Sequence, residues 1–314
     1  MNLSIIIPVF NESKSILTLV KEISAIVIKN KIITEILFIN DGSTDNSWRI
    51  IKSVCKKHNK YLIVKGIGFK ANTGKSAALN TGFILSQVSV VMTMDGDLQD
   101  DPKEIPNFYY AIKIDDFDLV SGWKKKRNDP LSKTIPTKLY NWATRFFSGI
   151  NLHDFNCGFK AYKQNVVKNI EVSGEMHRYI PLLVKQKGFN KIGELIVNHR
   201  SRKHGKSKYG LERFSNGLLD LVTIVFLNKF GKRPMHFFGF FGIIAFLIGF
   251  SISFYLAYAK LFYEQYNMTD RPIFYLSLLC MIIGSQLFLA GFIGELIVRK
   301  KKNQNDSMIE KIGF

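Results

Sequence analysis

Two stretches of this 314-residue chain, 235–259 and 272–294, contain no Asp, Glu, Lys or Arg. As helices each is about 35 Å long, against a hydrocarbon core of about 30 Å. Two such runs in tandem exceed ordinary core-helix lengths, so the chain is expected to carry a transmembrane hairpin rather than fold as a purely soluble protein. Lys229, Lys232 and Arg233 precede the first run, and Arg299, Lys300, Lys301 and Lys302 follow the second. The loop 260–271 sets Lys260 and Arg271 against Glu264 and Asp270. The positive-inside rule then places both ends of the hairpin, and both termini, on the cytoplasmic face. Residues 3–10 are apolar, but the run is short, lacks a basic flank and is stopped by Pro8 and Asn11. It is not expected to act as a signal peptide. Cys55, Cys157 and Cys280 are far apart and form neither zinc-ligand spacing nor a disulfide framework, which suits a reducing compartment.

The charge is uneven. Lys and Arg number 44 and Asp and Glu 25, a net charge of +19. Residues 234–314 carry seven of the basic and five of the acidic residues, leaving 37 and 20 for residues 1–233. A basic domain beside a membrane anchor suits anionic headgroups or phosphorylated substrates. No helix-turn-helix, zinc-finger or RNP pattern is present, so nucleic acid is not an expected partner.

The first 120 residues alternate strand-like and helix-like runs. Strands are expected at Leu3–Val9, Ile36–Ile39, Tyr61–Val64 and Val88–Met94. Helices are expected at Ser13–Lys29, Ser43–His58 and Lys75–Leu85. This rhythm implies an α/β fold, a mostly parallel sheet with helices on both faces and ligands at the carboxyl ends of its strands. Asn11-Glu12, Asp41, and Asp95 with Asp97 fall at those ends. A further strand is expected over 192–199. Leu131, Ile135, Leu139, Trp142, Phe146 and Phe147 share one helical face, which suits a helix in the membrane interface or one covering the sheet. Ser207 to Phe230 reads as a juxtamembrane helix.

Asp95-Gly96-Asp97 closes an apolar strand. Two carboxylates flanking a Gly can hold a hard divalent cation that takes its remaining oxygens from water and a diphosphate, with Gln99 as a neutral oxygen donor. An acidic turn opening a helix at Pro102 is the plainer alternative. Gly74-Lys75-Ser76 lacks the Gly a P-loop needs five residues earlier, where Phe69 stands, though a helix N-terminus still suits phosphate. His199 to Lys208 is basic, contains Gly205 and has no acid. A mobile loop that closes over a phosphate fits it, because Arg makes bidentate contacts and Lys supplies a point charge.

Six elements in order carry a resemblance: Ile7-Pro8-Val9-Phe10-Asn11-Glu12, Asn40-Asp41-Gly42-Ser43-Thr44-Asp45, Asn72-Thr73-Gly74-Lys75, Met94 to Pro102, Cys157 to Tyr162, and Arg202 to Lys208. Together they make the chain resemble the membrane-anchored family 2 glycosyltransferases of the dolichol-phosphate mannose synthase and undecaprenyl-phosphate glucosyltransferase type. The resemblance implies a GT-A-like catalytic domain over 1–210, a juxtamembrane helix at 211–233, a hairpin at 234–298 with spans about 235–259 and 272–297, and a cytosolic tail at 299–314. It implies inverting transfer of a sugar from a UDP- or GDP-linked donor to a polyprenyl phosphate. Pro8, Glu12 and Asp41 would line the nucleoside pocket. Asp95, Asp97 and Gln99 would hold Mg²⁺ or Mn²⁺ on the diphosphate, and Arg202 and Lys208 would grip the donor phosphates. Asp154 would be a base or an acceptor-positioning group, and homo-oligomers are implied by resemblance alone.

Many relatives place an Arg for the acceptor phosphate after the strand Asp118–Ser121. Here Gly122-Trp123-Lys124-Lys125-Lys126-Arg127 stands instead. Lys124, Arg127 or Arg145 are the candidates for that role, and Trp123 among these bases equally suits an interfacial anchor. A processive polysaccharide synthase is disfavoured, since none of Trp48, Trp123 and Trp142 closes a Gln-x-x-Arg-Trp element and two spans are few for a channel. An inactive nucleotide-sugar-binding scaffold is the other rival, because fold alone does not establish function.

Overall fold

The computed structural model describes residues 2–56, 59–125, 138, 141–142, 144–146, 148–200, 226, 230–231, 233–263 and 268–306. It divides into a unit of residues Met1–Leu221 and a unit of residues Val222–Phe314.

In the first unit, seven strands form one sheet: β1 (Leu3–Val9), β2 (Thr34–Asn40), β3 (Leu62–Gly68), β4 (Val90–Thr93), β5 (Leu119–Trp123), β6 (Lys160–Lys163) and β7 (Ile192–Ile196). Their spatial order is β3-β2-β1-β4-β6-β5-β7. All pairings are parallel except those of β6, which runs antiparallel to β4 and β5. The expected parallel sheet is therefore present, with one reversed strand that the alternating rhythm did not show. β1 lies between β2 and β4, so the loops leaving β1 and β4 diverge and open the crevice where such sheets bind ligands.

Period-2 alternation divides the core. Leu3, Ile5, Ile7 and Val9 face one layer, which packs against α1 (Ile16–Lys29), α2 (Ser47–Val54) and α4 (Ile105–Lys113) through Leu19, Ile23, Ile51 and Phe108. Ile6 faces the other, with α3 (Lys75–Leu85), α5 (Gln164–Asn169) and α6 (Ile180–Gln186) packed through Leu79, Phe83, Val166 and Val184. Gly82 brings α3 close to β1, since a Cβ there would stand 2.4 Å from Ile6 Cγ2.

Several boundaries differ from the sequence expectation, three of them for a visible reason. α2 begins at Ser47 rather than Ser43, because residues 43–45 are bonded to Asn11 instead of to a helix. β3 runs on to Gly68, past Lys65-Gly66, pairing with β2 as far as Asn40. Its glycines admit the α2 side chains: a Cβ on Gly66 would meet Ile51 at 2.5 Å, and one on Gly68 the Trp48 ring at 3.1 Å. β7 ends at Ile196, and His199 makes an isolated antiparallel bridge with Asp100 instead.

The second unit holds α7 (Pro234–Tyr263) and α8 (Pro272–Asp306). Pro234–Tyr263 and Pro272–Val298 are long and apolar enough to cross a membrane. They form an antiparallel hairpin. A Cβ on Gly242 would lie 2.7 Å from the Gly284 carbonyl oxygen, one on Gly284 2.6 Å from the Gly242 carbonyl oxygen, and one on Gly249 2.4 Å from the Ser277 carbonyl oxygen. Small residues thus bring the backbones together, as in membrane helix pairs. Ser253 and Ser277 add a hydroxyl–hydroxyl bond of 2.7 Å. Most of the expected juxtamembrane helix, and Arg202 and Lys208 with it, lies outside the described residues.

Candidate active site

The loop after β1 is tied to the loop after β2. Asn11 adopts φ 54°, a left-handed conformation that Asn tolerates. Its side-chain oxygen accepts the N–H groups of Thr44 at 2.8 Å and Asp45 at 3.3 Å, and its own N–H donates to Ser43 Oγ at 3.0 Å. The Glu12 N–H donates to Ser47 Oγ at 2.9 Å. Asp41 is buried. One of its oxygens accepts from Thr73 N–H at 2.7 Å, the other from Gly74 N–H at 3.0 Å. The predicted nucleoside contact therefore also pins the turn that opens α3. Gly42 permits this approach: it sits at φ 64°, and a Cβ would lie 2.4 Å from the Ala71 carbonyl carbon.

The Asp95-Gly96-Asp97 turn leaves β4 beside the end of β1, and a Cβ on Gly96 would stand 3.4 Å from the Pro8 carbonyl oxygen. Leu98 takes φ 65° with its side chain buried, a conformation uncommon outside Gly and one that the packing must hold. Asp97 Oδ1 accepts the Gln99 N–H at 3.1 Å, and Asp100 Oδ2 accepts the Asp95 N–H at 3.2 Å. The Asp95 carboxylate is paired with Lys75 Nζ at 2.5 Å. Burial alone would raise its pKa, but Lys75 and Lys124 outweigh that and hold it down at about 2.

Lys124, at the end of β5, lies 3.1 Å from Asp100 Oδ1. Burial would lower this lysine, yet Asp100, Cys157 and Asp95 raise it above the ordinary range. Lys124 thus braces the acidic turn from behind. Trp123 stacks on His153, with ring centroids 4.0 Å apart, and Lys125 Nζ stands 5.5 Å from the Trp123 centroid.

Residues 154–160 fold over the turn. Asp154 is buried, its Oδ1 accepts the Asn156 N–H at 3.1 Å, and its carbonyl accepts from Ser121 Oγ at 3.4 Å. The buried Lys160 ammonium donates to the carbonyls of Phe155 and Cys157. Burial pushes Lys160 down and the Cys157 thiol up to about 12. Gly158 sits on Asp95 itself, where a Cβ would fall 2.6–2.7 Å from the carboxylate atoms. The Gly158 carbonyl accepts from Thr93 Oγ1 at 2.8 Å.

Pro8, Glu12, Asp41, Asp95, Asp97, Gln99, Lys124 and Asp154 accordingly all lie at the carboxyl ends of β1, β2, β4 and β5 or on the turn packed over them. Arg145 instead donates from Nε to the Leu152 carbonyl at 3.1 Å, on the loop before Asp154. Arg127 lies outside the described residues. Sequence reasoning missed Lys75, whose signal was the failed P-loop. It also missed Arg200, hidden in a basic run, which bonds Asp101 and Glu22 at 2.6 Å each while its N–H donates to the Gln99 carbonyl at 2.9 Å. His177, whose N–H donates to Ser76 Oγ at 3.1 Å, left no sequence signal. Burial, with Lys75 and Arg178 beside it, pushes that imidazole down to about 2, so it is neutral.

Among the described residues no three His, Cys, Asp or Glu side chains gather as a complete metal-ligand set. The donors present still fit a hard cation held mainly by substrate and water: two carboxylates on one turn, one of them kept ionised, with a side-chain amide two residues on. Lys75 now supplies the positive charge at Asp95.

A mostly parallel sheet with helices on both faces and an acidic turn at its switch point is a GT-A-like fold. Residues 4–171 match the glycosyl transferase family 2 profile, and the chain belongs to that family. The dodecaprenyl-phosphate galacturonate synthase of Rhizobium johnstonii is 32% identical over 301 residues, 95% of this chain and 88% of that protein. An undecaprenyl-phosphate 4-deoxy-4-formamido-L-arabinose transferase of Aeromonas hydrophila is 30% identical over 296 residues, covering 94% and 88%. Glucosyl-3-phosphoglycerate synthase from Mycobacterium tuberculosis, solved with Mn²⁺, UDP and phosphoglyceric acid, shares the fold at TM-score 0.54. It is 16% identical, with 72% of this chain and 78% of that chain covered.

Proposed function

We propose that this enzyme transfers a sugar from a nucleotide-sugar to a polyprenyl phosphate. The observation that carries the reading is the Asp95-Gly96-Asp97 turn, clamped at the switch point between Lys75, Lys124 and Gly158. The apolar hairpin and the names of the two relatives point to the lipid acceptor. An acceptor phosphate oxygen attacks the anomeric carbon as the bond from that carbon to the nucleoside diphosphate breaks, and the diphosphate leaves with the electron pair.

Asp95, Asp97 and Gln99 would hold Mg²⁺ or Mn²⁺, which supplies positive charge to the leaving diphosphate. Lys75, at the N-terminus of α3, adds a cation where helix amides also favour phosphate. Pro8, Glu12 and Asp41 border the nucleoside end of the crevice. A phosphate monoester has a second pKa of about 6 and is already a competent nucleophile at neutral pH. Asp154 therefore serves to position the acceptor rather than to deprotonate it. We place the catalytic unit and both termini on the cytoplasmic face, from the basic flanks of the hairpin.

The test is a transfer assay on the purified full chain in detergent. It contains undecaprenyl or dolichyl phosphate, Mg²⁺ or Mn²⁺ and a panel of UDP- and GDP-sugars, with lipid products read by mass spectrometry. The expected result is a sugar-phosphate lipid from one donor, lost on chelation. No product from any donor, with nucleotide binding intact, would favour the inactive scaffold.

A further inference from the structure

Two lysines reach the acidic turn, and they are held differently. Lys124 and Asp100 pair behind the turn with side chains only 13% and 2% exposed. Lys75 and Asp95 pair with side chains 27% and 32% exposed. The backbone on either side of Lys75 is fixed. The Gly74 N–H donates to Asp41 Oδ2 at 3.0 Å, and Ser76 Oγ accepts the His177 N–H at 3.1 Å. What can move is the four-carbon side chain that carries the ammonium. A Cβ on Gly74 would meet nothing within 4 Å, so the space beside this turn of α3 is open. Asp95 has less room. A Cβ on Gly158 would fall 2.6 Å from its Oδ2, and the Lys75 ammonium stands 2.5 Å from its Oδ1. A divalent cation on that carboxylate would crowd the ammonium, and like charges so close repel.

We propose that Lys75 makes cation binding depend on the nucleotide: it holds Asp95 until a nucleoside diphosphate enters, and then passes to a phosphate oxygen. The inference rests on the cation site proposed above. The second partner suits Lys75 because it opens α3, where helix amides and an ammonium together favour phosphate. One swing of a side chain then uncovers the Asp95 lone pairs and offsets part of the diphosphate charge. A bare cation has to compete with Lys75 for Asp95, whereas a cation arriving with the diphosphate does not. Lys124 cannot make the same exchange, since its pair with Asp100 is enclosed. By linkage, nucleotide and cation tighten one another by the same factor.

The test measures Mn²⁺ binding to the purified full chain in detergent, with no UDP and with saturating UDP. The electron paramagnetic resonance signal of unbound Mn²⁺ gives the affinity without any turnover. Lys75→Met removes the ammonium and keeps an unbranched side chain. Without UDP it is expected to bind Mn²⁺ about tenfold tighter than the unsubstituted chain, a coupling of ordinary size. UDP should then raise its Mn²⁺ affinity by a smaller factor. Lys75→Arg keeps the charge and should stay near the unsubstituted chain. A merely structural role for Lys75, or misfolding of the variant, lowers Mn²⁺ affinity and does not raise it. Unchanged or weaker Mn²⁺ binding by Lys75→Met without UDP would overturn the inference. Asp95→Asn separates the two ways of failing, because it should abolish the Mn²⁺ binding that UDP promotes. If it binds as the unsubstituted chain does, the cation site itself is wrong. If it loses binding while Lys75→Met gains none, only the role of Lys75 falls.

Discussion

Gly158 leaves no room for a methyl group beside the acidic turn. A Cβ there would overlap the Asp95 carboxylate at 2.6–2.7 Å. Gly158→Ala should displace that carboxylate and lower turnover about 10²-fold, the usual cost of a 1 Å misplacement. The circular dichroism spectrum and thermal midpoint should stay near wild type, since the neighbour that yields is a side chain at the crevice. A variant with full activity would detach Asp95 from the reaction. Asp97→Asn keeps the shape of its side chain and the bond from the Gln99 N–H but removes a charge. Its turnover should fall about 10²-fold or more, as when a preorganised charge-stabilising group is lost. Steady-state kinetics across a Mn²⁺ titration would show it. Asp95, Asp97 and Asp41 were legible in the sequence because each closes an apolar run within a few residues of a Gly. Lys75, His177 and Arg200 were not. Their partners lie 20, 101 and up to 178 residues away, and only the sheet order brings them together.

Between elements, short polar side chains and glycines set the geometry. Asn11 joins the loops after β1 and β2 through its left-handed backbone and the amides it accepts. Asn11→Ala removes both advantages and should cost about 1–3 kcal/mol. A lowered thermal midpoint with weaker nucleoside-diphosphate binding would be its signature; an unchanged midpoint would show that Ser43 and Ser47 suffice. In the hairpin, Gly249→Leu would drive a side chain into the Ser277 carbonyl 2.4 Å away. It should lower the thermal midpoint in detergent, whereas Phe250→Leu, at a half-exposed position, should not. Periodicity marked β1, β2, β4, α1, α3 and both apolar helices. It fell short where long-range packing overrides local preference. β3 continues through two glycines because Trp48 and Ile51 fill the space. β6 enters the sheet reversed between β4 and β5, carrying Lys160 into the core, where carbonyls of the preceding turn accept its hydrogen bonds. The rings at Trp142 and Phe146 fitted either of two readings, and both rings are exposed.

At the scale of the whole molecule, one chain of family 2 carries both an acidic crevice and a pair of helices long and apolar enough to cross a membrane. The structural relative with the same fold was solved with a water-soluble phosphorylated acid, phosphoglyceric acid. The fold therefore does not choose the acceptor; the names of the two relatives and the apolar helices are what point to a lipid. Because the acceptor phosphate ionises with a second pKa of about 6, transfer at low acceptor concentration should rise with pH through that value and then level off. A profile that kept rising well above it would restore a general base to Asp154. The most direct measurement is a competition for one labelled donor sugar between polyprenyl phosphate and 3-phosphoglycerate, offered together to the full chain in nanodiscs. The label is expected to move into the organic phase, as a lipid whose mass equals polyprenyl phosphate plus one glycosyl unit. Label in a water-soluble phosphorylated product, with the lipid unmodified, would contradict it.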